Sequence, residues 1–165
     1  MVFQWYIRGS IHVSLCLLAL VGFSSAVFDS QVSVVYYLAL FFGSIAGYNA
    51  IKFGPESGKY WRLVGGERRF VIVLSALSLG MGIYYLLQLP QGVWLHFLLA
   101  GLMTALYAGP LKPGWGNLRR YGFLQVLLVA LVWTILSGWA PLGGMNTLVN
   151  WDVGVESFQR ILWVF

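Results

Sequence analysis

Charge is the scarcest ingredient of this sequence: 9% of its 165 residues are Asp, Glu, Lys or Arg, and five of those are acids. Soluble domains average about 25% charged residues and about 45–50% apolar ones, whereas this chain is 59% hydrophobic. So little charge excludes an ordinary soluble domain. So much apolar character excludes a disordered chain, which needs the opposite balance. A single cysteine, Cys16, excludes a disulfide-stapled secreted module. The two histidines are His12 and His96, and no Ser-His-Asp, Cys-x-x-Cys, phosphate-loop or dinucleotide-binding pattern is present. An integral membrane protein remains.

What the sequence does contain is long uncharged runs. A spanning helix needs roughly 17–25 apolar residues. Five stretches meet that need: Ile11–Phe28, Val32–Ile51, Phe70–Leu89, Val93–Gly109 and Phe123–Ala140, none with an ionisable Asp, Glu, Lys or Arg. Their apolar runs are continuous, where barrel strands would alternate. A sixth run starts near Val155 and reaches Phe165 after about 11 residues, the beginning of a further helix. The expected fold is therefore an all-α, multispanning transmembrane bundle of about five full spans plus the start of a sixth. It forms a single integral-membrane domain over residues 1–165, and the run ending at Phe165 makes the chain an expected N-terminal part of a longer bundle.

The net charge of +5 matters through its placement. Arg8 precedes the first span. Lys52, Lys59, Arg62, Arg68 and Arg69 fall between the second and third. Lys112, Arg119 and Arg120 fall between the fourth and fifth, so nine of the ten cations share one side. The positive-inside rule puts the N-terminus and both basic loops in the cytoplasm. Such cations answer to lipid headgroups or anionic ligands, and nucleic acid is not an expected partner. Trp5, Trp94, Trp139 and Trp151 near span ends fit an interfacial aromatic belt. Arg8, the first apolar stretch and Ser24-Ser25-Ala26 also fit a cleaved signal, and cleavage would leave the orientation of the other spans unchanged.

The two basic loops hold nearly all the polar chemistry. The segments GPESGKYWRLVGGERRF and GPLKPGWGNLRRY both open on Gly-Pro and close on Arg-Arg-aromatic, a faint internal echo. Converging over a bundle, they would cap an apolar cavity with cations suited to an anionic head on a lipid tail. The simpler alternative is that these cations set topology and touch anionic lipid. Small residues Gly43, Ala46 and Gly47 in the second span, and Gly80 and Gly82 around Met81 in the third, predict close helix packing. The histidines lie at opposite membrane faces, as interfacial hydrogen-bonding residues.

The second span ends Gly47-Tyr48-Asn49-Ala50-Ile51-Lys52-Phe53, and the later basic loop supplies Tyr107, Lys112, Asn117 and Gly122. In order and placement the chain resembles the UbiA-type membrane prenyltransferases across nearly its whole length. The resemblance implies transfer of a polyprenyl group from a diphosphate donor to an aromatic or lipid acceptor, within a membrane-embedded bundle. It makes Asn49, Lys52, Tyr107, Lys112, Asn117, Arg119 and Arg120 the candidate diphosphate-binding residues. It also implies Mg²⁺ held by an NDxxDxxxD motif. Laid from Asn49, that motif finds Ala50, Phe53 and Ser57 at its three Asp positions, so the Mg²⁺ ligands are missing. Glu56 and Glu67 lie near the motif and off its positions. The alternative expectation is a non-enzymatic protein that binds an isoprenoid or other lipid, or has a structural role.

Overall fold

The computed structural model of the protein describes residues 2–28, 30–53, 65–108 and 122–139. They are helical nearly throughout: α1 (Val2–Arg8), α2 (Ile11–Val27), α3 (Val34–Phe53), α4 (Gly65–Leu86), α5 (Gln91–Ala108) and α6 (Gly122–Thr134), the last passing into a π-helical turn, Ile135–Trp139. Each of the five expected stretches overlaps a helix, and the described residues include no strand, as the all-α expectation requires. Two of the helices, α3 and α4, are long and apolar enough to cross a membrane. At 1.5 Å per residue they reach about 30 Å, the thickness of a bilayer's hydrocarbon. Three shorter apolar helices cover Ile11–Val27, Gln91–Tyr107 and Val126–Gly138.

Local chemistry explains the boundaries. Gly9 and Ser10 separate α1 from α2. Ser10 has φ 60, in the left-handed region, so the chain leaves the helical path there. A Cβ on Gly9 would lie 2.7 Å from Leu74 Cδ2 and 3.0 Å from the Trp5 carbonyl, so glycine is needed for that turn to seat against α4. Ser33 caps α3, its hydroxyl accepting the Tyr36 N–H at 3.2 Å. After α4 the chain tightens, with Gln88 N–H on Tyr85 O and Leu89 N–H on Leu86 O. Pro90 then starts α5, its carbonyl accepting from Val93 N–H at 2.9 Å. The Trp94 indole donates to Leu89 O at 3.0 Å and fastens this corner.

Two features depart from the expected boundaries. The short helix α1 precedes the first span, where only a flanking Arg8 was expected. Helix α4 starts at Gly65, so Glu67, Arg68 and Arg69 are helical and not loop. Glu67 sits in the first turn, where the helix dipole favours a carboxylate, and it ion-pairs with Arg8. The helix therefore runs past the apolar stretch into Glu67, whose charge suits its N-terminus, and into Arg68 and Arg69, whose charges do not.

Helix α3 packs against α2, α4 and α5, and the π-helical turn closes on α2 and α5. The α3–α4 approach is the tight one: a Cβ on Gly82 would sit 3.1 Å from Gly43 N and 3.3 Å from Gly43 Cα. This is the close packing that the small residues predict, although a Cβ on Gly80 would meet nothing within 4 Å. Leu17, Val21, Tyr36, Leu40, Val93, Ala100 and Leu136 form the buried apolar cluster. Outside it, large apolar side chains are exposed on several helices, among them Val34, Leu77, Leu98 and Phe123.

Candidate functional site

A cavity of about 560 Å³ lies among α2, α3, α4, α5 and α6. Its walls are mostly carbon. At one end Leu40, Leu86, Phe97, Trp133 and Leu136 line it, and the Tyr36 ring meets Phe97 edge-on with centroids 5.7 Å apart. The Tyr36 hydroxyl donates to the Leu136 carbonyl inside the π-helical turn. A π turn disturbs the regular ladder of backbone bonds, and this phenol supplies a donor to one of its buried carbonyls.

The other end is polar. Ser10 and His12 open α2, Tyr48 and Lys52 lie in the last turns of α3, and Thr104 and Tyr107 lie in the last turns of α5. The Ser10–Asn49 hydrogen bond joins the start of α2 to the end of α3, and the Thr104 side chain lies opposite Gly47. Antiparallel and parallel neighbours thus bring three helix termini to one mouth. His12 Nδ1 is buried without a hydrogen-bond partner, and its ring sits 5.7 Å from that of Tyr6.

The predicted site residues divide. Lys52 and Tyr107 both line the cavity at its polar end. Asn49 is buried on a different face of α3. Its Oδ1 accepts from the Ser10 hydroxyl at 2.8 Å and its Nδ2 donates to the Ser75 hydroxyl at 3.0 Å. Ser75 in turn donates to Val71 O at 2.6 Å. This amide ties α2, α3 and α4 together. Lys52 Nζ donates to the carbonyls of Ile7 at 2.8 Å and Arg8 at 3.4 Å, the C-terminal end of α1, where a cation suits the helix dipole. It also lies 5.2 Å above the Phe53 ring. Lys112, Asn117, Arg119 and Arg120 lie outside the described residues.

Sequence reasoning did not single out Ser10, Tyr48 or Ser75 as site or network residues, and it expected His12 to be an interfacial hydrogen-bonding residue, whereas its Nδ1 is buried without a partner. A signal existed for Ser75: Val71, Ser75, Ser78 and Gly82 follow a four-three-four spacing, one face of α4, and all pack inward to some degree. Tyr48 and Lys52 are four apart on one face of α3. Ser10 carries no signal, because its role depends on the α1–α2 turn.

The residues at the motif positions do not fit Mg²⁺. That ion takes hard oxygen ligands, mostly carboxylates. Ala50 and Phe53 offer carbon and the Asn49 amide is turned to Ser10 and Ser75. Ser57 lies outside the described residues. Among the described residues no Asp or Glu lines the cavity. The arrangement suits a long apolar chain with hydrogen-bonding groups at one end, and its volume falls within the ~300–1,000 Å³ of small-molecule sites. The chain matches no protein-family model, no curated protein and no solved structure.

Proposed function

We propose that this chain is a multi-pass integral membrane protein that holds a long-chain, isoprenoid-type amphiphile in its central cavity. The cavity carries this reading: it is apolar over most of its length, polar at one end, and lined by helices that are apolar on their outer faces too. A helix apolar all round belongs either in a protein core or in lipid. For α3 and α4 only 28% and 17% of the most apolar stretch is buried within the protein, so lipid is the fitting surround. The distribution of cations orients the bundle with α1 and the polar mouth at the cytoplasmic face. A lipid tail would then enter from the bilayer, with its head at the level of lipid headgroups.

Prenyl transfer is the second reading. It is favoured by the meeting of Lys52 and Tyr107, near the C-terminal ends of separate helices, at one mouth. In that reading Lys112, Arg119 and Arg120 would neutralise the diphosphate, and the aromatic wall would face the developing allylic cation.

Photo-crosslinking in membranes tests the proposal. A long-chain isoprenoid carrying a terminal diazirine is expected to label cavity residues of α3, α5 and α6, such as Leu40, Phe97 and Trp133. Labelling confined to outward residues such as Phe123 and Val126 would overturn it. Incubation with labelled isoprenyl diphosphates and an aromatic acceptor decides between the readings, since turnover supports transfer and its failure leaves binding alone.

A further inference from the structure

His12 is the polar residue at the cavity mouth with a nitrogen left over. It is the second residue of α2, and it lines the cavity. Its Nδ1 is buried and has no hydrogen-bond partner. The hydroxyls nearest it along the chain are turned elsewhere: Ser10 donates to Asn49 Oδ1 at 2.8 Å, and Ser14 donates to Ser10 O at 3.3 Å. At the same end Thr104 donates to Ala100 O at 2.8 Å. The Tyr6 ring lies 5.7 Å from the imidazole at a tilt of 52°, which is packing between rings. A buried polar atom without a partner is costly, and native structures supply one from protein, water or ligand. The torsion about the His12 Cβ–Cγ bond is broad and two-fold, so the ring can turn Nδ1 toward the cavity at little cost.

From this placement we infer that His12 is the head-group ligand of the cavity: its imidazole hydrogen-bonds an oxygen on the head of the bound long-chain lipid. A neutral imidazole offers both an N–H that donates and a bare nitrogen that accepts. A hydroxyl head can meet either, and a phosphate oxygen meets the N–H. Tyr48 and Tyr107 line the same end, where phenol hydroxyls can donate to the same oxygen. Leu40, Phe97 and Trp133 then face the tail. An alcohol and a phosphate ester share this chemistry. Lys112, Arg119 and Arg120, which follow α5 in the sequence, would add to the phosphate alone. The inference rests on the proposed lipid-binding function and names the residue that holds the head.

The test is competition against the diazirine photoprobe on the full chain in nanodiscs, with each competitor at the same mole fraction of lipid. Three competitors share one tail: geranylgeraniol, geranylgeranyl phosphate and the oxygen-free hydrocarbon of equal length. At least one headed lipid is expected to displace the probe about five-fold more effectively than the hydrocarbon, the size of one hydrogen bond. His12→Phe is expected to abolish that advantage and to leave displacement by the hydrocarbon within about two-fold, which also shows that the cavity persists. An advantage of the alcohol alone, or of the phosphate alone, supports the inference and identifies the head. Headed lipids that keep their advantage in His12→Phe would overturn it. So would equal displacement by all three in the unaltered protein, or equal loss of all three in the variant. Failure of the photoprobe to label the cavity would instead overturn the lipid-binding function itself.

Discussion

Gly82 and Gly43 set the distance between α3 and α4, because backbone meets backbone where side chains would stand. A Gly82→Ala methyl would press on the Gly43 main chain, which cannot swing away as a flexible side chain would. We expect it to destabilise the protein by about 1–3 kcal/mol, the usual cost of overpacking. Gly80→Ala places its methyl in open space and serves as the control, with little expected change. Thermal unfolding in detergent measures both. Asn49→Ala should also cost about 1–3 kcal/mol in the same assay, because it strands the Ser10 hydroxyl, which is 1% exposed. The glycine pair was legible in the sequence, since small residues in spans predict close approach. The direction of Asn49 was not. Asn49 and Lys52 lie three apart on one helix, and only the positions of α1, α2 and α4 decide which face meets a structural neighbour and which meets the cavity.

At the scale of elements, the long uncharged helices were readable because nothing competes with their composition: a helix that is apolar all round needs no periodicity to be recognised. Helix α1 escaped because seven residues cannot form a stable helix alone and depend on tertiary partners. Those partners are visible: Lys52 on its last carbonyls, the Arg8–Glu67 ion pair, and Trp5 against Phe70 with centroids 4.3 Å apart. They differ in weight. Arg8 and Glu67 are more than a third exposed, and such pairs contribute at most about 1 kcal/mol, less in salt. The Lys52 ammonium satisfies carbonyls that α1 itself leaves unpaired. Hydrogen exchange should therefore separate the two. Lys52→Met is expected to raise amide exchange across Val2–Arg8 several-fold, and Glu67→Gln to change it by less than about two-fold at physiological salt. A larger effect of Glu67→Gln than of Lys52→Met would mean that the ion pair, not the cap, holds α1.

For the whole molecule, charge placement fixes the proposed orientation, and it can be checked from outside the membrane. Cys16 is the sequence's single cysteine, so Cys16→Ser gives a clean background. Arg69 and Gln88 are both exposed, near opposite ends of α4. In intact cells a membrane-impermeant maleimide is expected to label Gln88→Cys directly and Arg69→Cys only after permeabilisation. The reverse pattern would invert the bundle and move the cavity's polar mouth to the outer face. The cavity itself could not be read from the sequence. It arises where α2, α3, α4, α5 and α6 line a space that no local pattern encodes, and the candidate cations Lys112, Arg119 and Arg120 lie outside the described residues.

The central claim is that this space holds a lipid, and native mass spectrometry of the chain released gently from detergent addresses it most directly. The account predicts a population carrying one long-chain lipid. It also predicts loss of that population in Gly47→Phe, where the side chain enters the cavity beside Thr104 from a position whose Cβ meets nothing closer than 3.9 Å. A bare chain mass for the unaltered protein, or an adduct that persists unchanged in Gly47→Phe, would contradict it.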